Sequence, residues 1–463
     1  MDIDDERPEL KAAEQAARRW LAGRTTRDIP ATATWTEVLR AVGGPFPATG
    51  RPPVEVVERL VAAVEPGLMA IDSPRFYGWV MGGALPAALA SDWLVSAWDQ
   101  NAGMRDATPG VVAVEDAAAR WILEALGLPA GAGVGFVTGA TMANATCLAS
   151  ARDAVLAAVG WDQASQGMAG APRVRVLVGA ERHGSIDLVM RYLGLGAPEA
   201  VAADEQGRLI PAELIRALTA GSGPTIICAQ AGNIHSGAFD PFEEIVAIAH
   251  AHHAWVHIDG AFGLWAAATP RLARLTAGQP GADSWTTDAH KTLNTPYDCG
   301  IAIVRDPAAL RRSFGQHAAY LLHSETPDPH ETVPEMSRRA RGVPVWAALA
   351  TLGAQGLAGL VDGLADAAAG LAAGLGAIEG VEVLNEVVYT QVTIAVGDDA
   401  TTGAVLARLL AEGLIRPSAS QWQGRSVIRF SVSNHATDEA AVVATVAAVA
   451  RAVEAAQQER PPA

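Results

Sequence analysis

Lys291 sits in the run "TTDAHKTLNTPYDCG", Thr286 to Gly300, flanked by His290 and otherwise short of positive charge. The run reads as a tight loop, where a lysine is by default a solvated cation. The chemical alternative is an amine that condenses with an aldehyde. Three other pointed features could serve such an amine. Asp259 ends the strand-like "AWVHI", 32 residues before Lys291 (291 − 259). His183 follows "VRVLVGAER", and the small residues Thr138, Gly139, Ala140 and Thr141 follow "VGFV" and open the helix-like "TMANATCLASARDAV".

Each feature stands at the end of an apolar run, and in an open α/β sheet ligands sit beyond the carboxyl ends of the strands. A small-residue turn at a helix N-terminus offers free N–H groups to a phosphate. A phosphate cradle, a carboxylate, a planar ring and a lysine together match the needs of pyridoxal 5'-phosphate. Lysine would form the Schiff base, and the carboxylate would keep the pyridine nitrogen protonated. The imidazole would stack on the ring.

The elements that must position these residues read as follows. From about 71 to 345, the β-rich runs "VGFVTG", "RVRVLVG", "TIICAQAG" and "AWVHIDG" alternate with helical segments such as "DPFEEIVAIAHAHH". That is the pattern of βαβ units around a mostly parallel sheet. Residues 1–70 read as a helical arm with Pro/Gly-rich breaks. Residues 346–463 read as a small C-terminal α+β domain, with strands in "VEVLNEVVYTQVTIAVG" and "SVIRFSVS".

A chain of 463 residues that is 50% hydrophobic exceeds the needs of one small core. With 34 Lys+Arg against 50 Asp+Glu, the net charge is −16, which argues against nucleic acid and anionic membranes as partners. Cys147, Cys228 and Cys299 are too widely spaced for a disulfide framework or a zinc site, and suggest a reducing, cytoplasmic setting. The acidic start "MDIDDERPEL" is unlike a signal peptide. The uncharged stretch "FYGWVMGGALPAALAS" is broken by glycines and a proline, and is shorter than the about 20 helical residues a bilayer needs.

The motifs, taken in order, make the chain resemble the pyridoxal-phosphate-dependent group II amino-acid decarboxylases, whose fold is that of aspartate aminotransferase (fold type I). The resemblance covers about residue 71 to the C-terminus. It rests on "DSPRFYGWV", "VTGATMANATCLASARD", "ERHGSI", "VHIDGAFGLW", "DAHKTLNTPYDCG" and "IRFSVSNHATDEA". It implies an α/β fold with a large, mostly parallel sheet domain, a small C-terminal domain, and a homodimer. It also implies that Lys291 is the Schiff-base lysine and that Asp259 pairs with the pyridine nitrogen. His183 and Ala261 would lie on opposite ring faces, with Ala140, Thr141 and His290 at the phosphate. Asn233 and His235 are implied near the ring hydroxyl or the substrate, and Arg429 near the carboxylate region. Phe76, Tyr77, Trp79 and Trp98 fall where the family builds its side-chain pocket, pointing to an aromatic or apolar L-amino acid.

Two departures from the family stand out. Members carry a mobile-loop tyrosine that reaches a neighbouring site as an acid, whereas "SETPDPHETVPEMSRRARG" has none; His330 is the nearest donor, with Tyr320 upstream. Thr292 replaces the tryptophan usual after the lysine, an exchange that would widen the pocket. Loss of the tyrosine opens a route to an aldehyde by oxidative deamination, beside simple release of an amine. An aminotransferase, a carbon–carbon lyase and a cofactor-free binding protein are the remaining alternatives. A metal site at His250, His252, His253 and His257 is not expected, because the first three end a helix and His257 belongs to the next strand.

Overall fold

The computed structural model describes residues 7–315 and 327–459, so Tyr320 lies outside the described residues. The larger sheet is built from β1 (Gly133–Val137), β2 (Arg175–Gly179), β3 (Glu199–Val201), β4 (Thr225–Gln230), β5 (Trp255–Asp259), β6 (Ser284–Asp288) and β7 (Gly300–Val304). The spatial order is β1-β7-β6-β5-β4-β2-β3. Neighbours pair in parallel from β3 across to β6, and β7 runs antiparallel to both β6 and β1. This is the mostly parallel α/β sheet expected from the alternating pattern.

Strands β1, β2, β4 and β5 are the apolar runs visible in the sequence. The run read as a tight loop is corrected. Thr286, Thr287 and Asp288 belong to β6, Gly300 opens β7, and only the residues between them form the turn. Strand β6 reads "SWTTD" yet is buried throughout. Its hydroxyls and carboxylate hide a central strand from any hydrophobicity pattern.

The helix Ala140–Ala157 packs across β5, β6 and β7. Its buried face is mostly Ala, Ser, Thr and Cys, short side chains that let it lie close to the sheet. Asn144 and Asp153 are the polar exceptions, Asn144 being fully buried at its first turn and a half. A second sheet of β8 (Val381–Val383), β9 (Gln391–Val396), β10 (Ser418–Trp422) and β11 (Arg425–Ser431) is antiparallel in the order β10-β11-β9-β8. The helices Asp399–Glu412 and Glu439–Gln458 close a separate apolar core with it.

The long helix Gly342–Gly376 links the two cores. Val345, Leu349 and Val361 enter the first, while Leu364, Leu371 and Leu375 enter the second. It bends at Gly353, whose φ of 59° suits a residue without Cβ. Its uncharged part, Gly342–Val361, is longer than the stretch around Trp79 and is apolar enough to cross a membrane by length and composition alone. Here it packs against the helices Pro86–Trp98, Pro109–Ala125 and Glu439–Gln458.

One buried ion pair fastens this helix to the sheet. Arg338 donates to Glu115 at 2.7 and 3.1 Å and to the carbonyls of Ala102 and Phe136, while Gly342 N donates to Glu115. With both side chains almost fully buried, losing one partner strands a charge. Glu115→Ala is therefore expected to lower the unfolding free energy by about 3–5 kcal/mol in urea titrations, and Glu115→Leu combined with Arg338→Met to recover most of it.

Candidate active site

A cavity of about 380 Å³ opens at the carboxyl ends of the strands, within the roughly 300–1,000 Å³ typical of small-molecule sites. Its wall takes Thr138–Thr141 from the end of β1, His183 from the end of β2, Gln230 from β4, Asp259 and Ala261 from β5, and Asp288, His290 and Lys291 from β6 and its turn. Lys291 and Asp259 thus face one space.

Asp259 is placed by a line of side chains that starts at the half-buried Trp255 of β5 and continues through buried groups. Trp255 Nε1 donates to Ser284 Oγ at 2.9 Å, and Ser284 Oγ meets His257 Nδ1 at 2.9 Å. His257 Nε2 lies 2.9 Å from Asn144 Oδ1, and Asn144 Nδ2 donates to Asp259 Oδ2 at 3.0 Å. Ionised Asp259 can only accept, which fixes every direction: Asn144 must give it N–H, so its Oδ1 must receive a proton from His257 Nε2. The His257 ring then accepts at Nδ1 from Ser284. Burial pushes the His257 pKa down to about 3, consistent with a neutral ring. His257 shares a strand face with Asp259 by the period of two, and Asn144 comes from the adjacent helix. Neither was visible as a site residue in the sequence, although the i, i+2 spacing was available.

The Lys291 turn is held by Asn294. Its Nδ2 donates to the carbonyls of Lys291, Thr292 and Ser433, while its Oδ1 accepts from Gly83 N at 2.8 Å and His435 N at 2.9 Å. Asn294 itself has φ 56°, a left-handed conformation that asparagine tolerates better than most residues. Gly82 is required next to this turn, because a Cβ there would lie 2.2 Å from the Lys291 carbonyl oxygen. Lys291 Nζ pairs with Asp288 Oδ2 at 2.8 Å. Thr292 is not on the cavity wall; it is buried and donates to the Phe262 carbonyl at 2.8 Å.

Gly139 precedes the helix Ala140–Ala157, whose first turn has no side-chain cap. Ala140, Thr141 and Met142 therefore present their amides to the cavity they line. Gly300 keeps this turn tight, since a Cβ there would come within 2.6 Å of the Gly139 backbone. His183 Nδ1 accepts from Ser185 N at 3.2 Å, which leaves the ring proton on Nε2. His290 Nδ1 accepts from Cys299 N, its ring stacks on Tyr297 at 4.3 Å, and burial lowers its pKa.

Several expected positions fall elsewhere. Phe76 and Tyr77 are buried away from the cavity; Tyr77 packs edge-on to Phe430 and its hydroxyl meets Thr445 Oγ1 at 2.9 Å. Trp98 ends the helix Pro86–Trp98 and is 48% exposed. Asn233 spends its amide on a turn, accepting from His235 N and Ser236 N and donating to the Glu181 carbonyl. His330 is buried in the turn Pro329–Glu331, its amide bonded to the Gly103 carbonyl, and does not line the cavity. His235 stacks on Trp422, and Arg429 donates to the Ile234 carbonyl, both just outside the cavity wall. Trp79 does line it, with Val80, Ile234 and Phe262. Trp79 and Val80 both hold positive φ (52° and 58°), a costly backbone that turns them into the mouth.

An amine, a carboxylate with a committed donor, an imidazole and an uncapped helix terminus around one cavity define a site of the pyridoxal-phosphate type. The buried, unpaired Asp288 Oδ1 and the free amides fit a ligand that brings its own polar groups. The comparisons agree. The pyridoxal-dependent decarboxylase conserved domain matches residues 45–396, and the chain belongs to that family. Its cofactor is pyridoxal 5'-phosphate. Tryptophan decarboxylase 1 of Oryza sativa subsp. japonica is 30% identical over 66% of this chain and 64% of its own length. An acidic amino acid decarboxylase of Bos taurus is 29% identical over 61% and 56%. The chain thus spans between about half and two thirds of these curated relatives. The solved structure of Oryza sativa TDC with PLP and tryptamine superposes with a TM-score of 0.91 at 23% identity, covering 98% of this chain and 99% of that one. Rhodiola rosea 4-hydroxyphenylacetaldehyde synthase gives 0.88 at 21%, with 98% and 99% covered.

Two outcomes are expected from the Asp259 line. Asn144→Leu removes a hydrogen bond to a charged group, worth about 1.5–3 kcal/mol, and should weaken cofactor affinity about 10- to 100-fold in equilibrium titration. His257 has a folded pKa of about 3 against about 6.5 unfolded, so the unfolded chain binds the extra proton between those values. Stability is therefore full above about pH 6.5 and falls as pH drops, by about 1.4 kcal/mol per unit from this group. Urea unfolding at pH 7, 6 and 5 should show the slope, reduced in His257→Gln.

Proposed function

We propose that the protein is a carboxy-lyase that removes the α-carboxyl group of an aromatic or apolar L-amino acid as carbon dioxide and releases the amine. The observation that carries this reading is the shared cavity of Lys291 and Asp259, with His183 and the turn Thr138–Thr141 on the same wall. When bound, pyridoxal phosphate supplies an electron-withdrawing ring that accepts the electron pair left by a broken bond at the substrate Cα. Lys291 tethers the cofactor until the substrate amine takes its place. Asp259, oriented by Asn144, keeps a proton on the ring nitrogen. The amides of Ala140 and Thr141 bind phosphate, helped by His290, and Ala261 leaves room for the ring opposite His183. With its proton on Nε2, His183 can both stack and hold a proton near Cα.

Trp79, Val80, Ile234 and Phe262 form the apolar part of the wall. They support an aromatic or apolar substrate, and they exclude water from a carboxylate whose charge disperses on cleavage. A second reading, oxidative release of an aldehyde, is favoured by one fact: among the described residues, those lining the cavity include no tyrosine. His330 is not part of this chain's own cavity wall.

We also infer a cytoplasmic homodimer. The exposed apolar residues Trp35, Leu39 and Phe46 on the N-terminal arm support a partner surface there. The arm (1–70), sheet domain (71–345) and C-terminal domain (346–463) are our division of the chain, with the long helix crossing the second boundary.

Two measurements test the reading. The purified protein should absorb at the violet edge, and Lys291→Ala should lose that band. Incubation with mixed L-amino acids under air and under nitrogen should yield carbon dioxide and amine in both, without peroxide. Aldehyde and peroxide in air would select the oxidative reading, and keto-acid-dependent turnover without carbon dioxide would refute both.

A further inference from the structure

A second recess, of about 550 Å³, opens between the helices Pro109–Ala125 and Gly342–Gly376 and the turn Leu264–Ala268. Among the described residues its wall shares none with the cavity of Lys291. Leu349 and Leu357 are buried and line it. Between them the long helix leaves its regular dihedrals at Gly353, where a Cβ would meet nothing within 4 Å. Ala350 and Ala354 flank that point, so the helix shows only short side chains there and the space stays open. The volume is that of a small-molecule site.

Two wall residues carry the recess's chemistry. The Trp121 ring stacks on Trp346, centroids 5.9 Å apart and planes 17° from parallel, and is still 39% exposed. Glu124 follows three residues later, on the same side of the helix, and is the single charged residue on the wall. Among the described residues its carboxylate has no ion pair, and Arg271, beyond the turn, is already spent on Asp362 and Asp366. An indole beside an uncompensated carboxylate attracts an organic cation, through the ring face and through charge. The same wall repels anions. It has no basic side chain, and its one side-chain N–H belongs to Trp121. A ligand bringing its own carboxylate would therefore meet Glu124 with nothing to neutralise either group.

We propose that this recess is a binding site for arylalkylamine cations, with the ammonium at Glu124, the ring against Trp121 and the apolar body over Leu349 and Leu357. An amine and its parent amino acid differ by one carboxylate, the group this wall rejects. The recess thus admits the amine and refuses the amino acid. That such amines are also what the protein itself releases rests on the carboxy-lyase reading; the recess and its selectivity do not, because no cofactor-site residue takes part.

The test titrates the full-length holoenzyme calorimetrically with phenethyltrimethylammonium, whose quaternary nitrogen cannot condense with an aldehyde. Saturable binding at one site per chain is expected, with the violet band unchanged. The trimethyl betaine of phenylalanine, which adds only a carboxylate, should bind at least about tenfold more weakly. Glu124→Gln should weaken the probe by about fivefold and bring probe and betaine closer together. Ala350→Leu, which fills the recess, should abolish binding without altering the violet band. No binding to wild type, or binding that survives both substitutions, overturns the proposal, as does a betaine that binds as tightly as the probe. If Ala350→Leu does not fold, the Glu124→Gln comparison of probe and betaine decides alone. Failure of the carboxy-lyase reading would show instead as no carbon dioxide from amino acids, with the probe still bound.

Discussion

A carboxylate at the edge of a buried sheet must be aimed, and the line Trp255–Ser284–His257–Asn144–Asp259 aims it. Its polarity runs one way because ionised Asp259 can only accept. Every earlier group is then obliged to donate forward, and Ser284, His257 and Asn144 are fully buried, so none of these three can exchange its partner for water. The cost of hiding these polar groups is recovered only when all bonds are made together. That requirement ties the packing of the helix Ala140–Ala157 onto β5 and β6 to the electrostatics of the cavity. The same helix supplies the amides of the turn at its start, so one rigid element sets both the partner of the carboxylate and the free amides on the cavity wall.

A second set of constraints brings distant chain segments to the lysine. Asn294 bonds the Lys291 turn, the segment at Gly83 and the stretch after β11 through one amide group. Gly82 and Gly300 are small because backbone passes where a side chain would be. The turn therefore cannot shift without disturbing both the larger sheet and the C-terminal sheet. The mouth is shaped differently. Trp79 and Val80 accept left-handed backbone, with Trp79 N anchored to Ser418 Oγ and the Arg416 guanidinium 5.0 Å above its ring. Strain held in place by the C-terminal sheet decides which aromatic faces the cavity.

The legible parts of the site were those that local patterns carry. Asp259, His183 and Thr138–Thr141 sit where apolar runs end, and Lys291 follows β6 in the same way, even though β6 itself was hidden by its threonines. What the patterns could not carry were side-chain directions. Phe76, Tyr77 and Trp79 are near neighbours in sequence, yet only Trp79 turns to the cavity, because Tyr77 is claimed by Phe430 and Thr445. Asn233 and His330 have the right chemistry near the right motifs, but turn geometry and burial commit them elsewhere. Asn144 and His257 are core residues, and the structure gives them their second role through their hydrogen bonds.

Residue order alone determined the alternation of strand and helix, the strand ends on which chemistry could stand, and the lysine proposed as the reactive amine. Those follow from local preference and from the rule that ligands meet an α/β sheet at its carboxyl edge. Tertiary structure decided which of several plausible polar residues share a cavity, which way the protons in the Asp259 line point, and that Asp288 lies between the lysine and the helix-terminal turn. Such facts depend on contacts between segments more than a hundred residues apart, such as Asn144 with Asp259, and no window along the chain contains both partners.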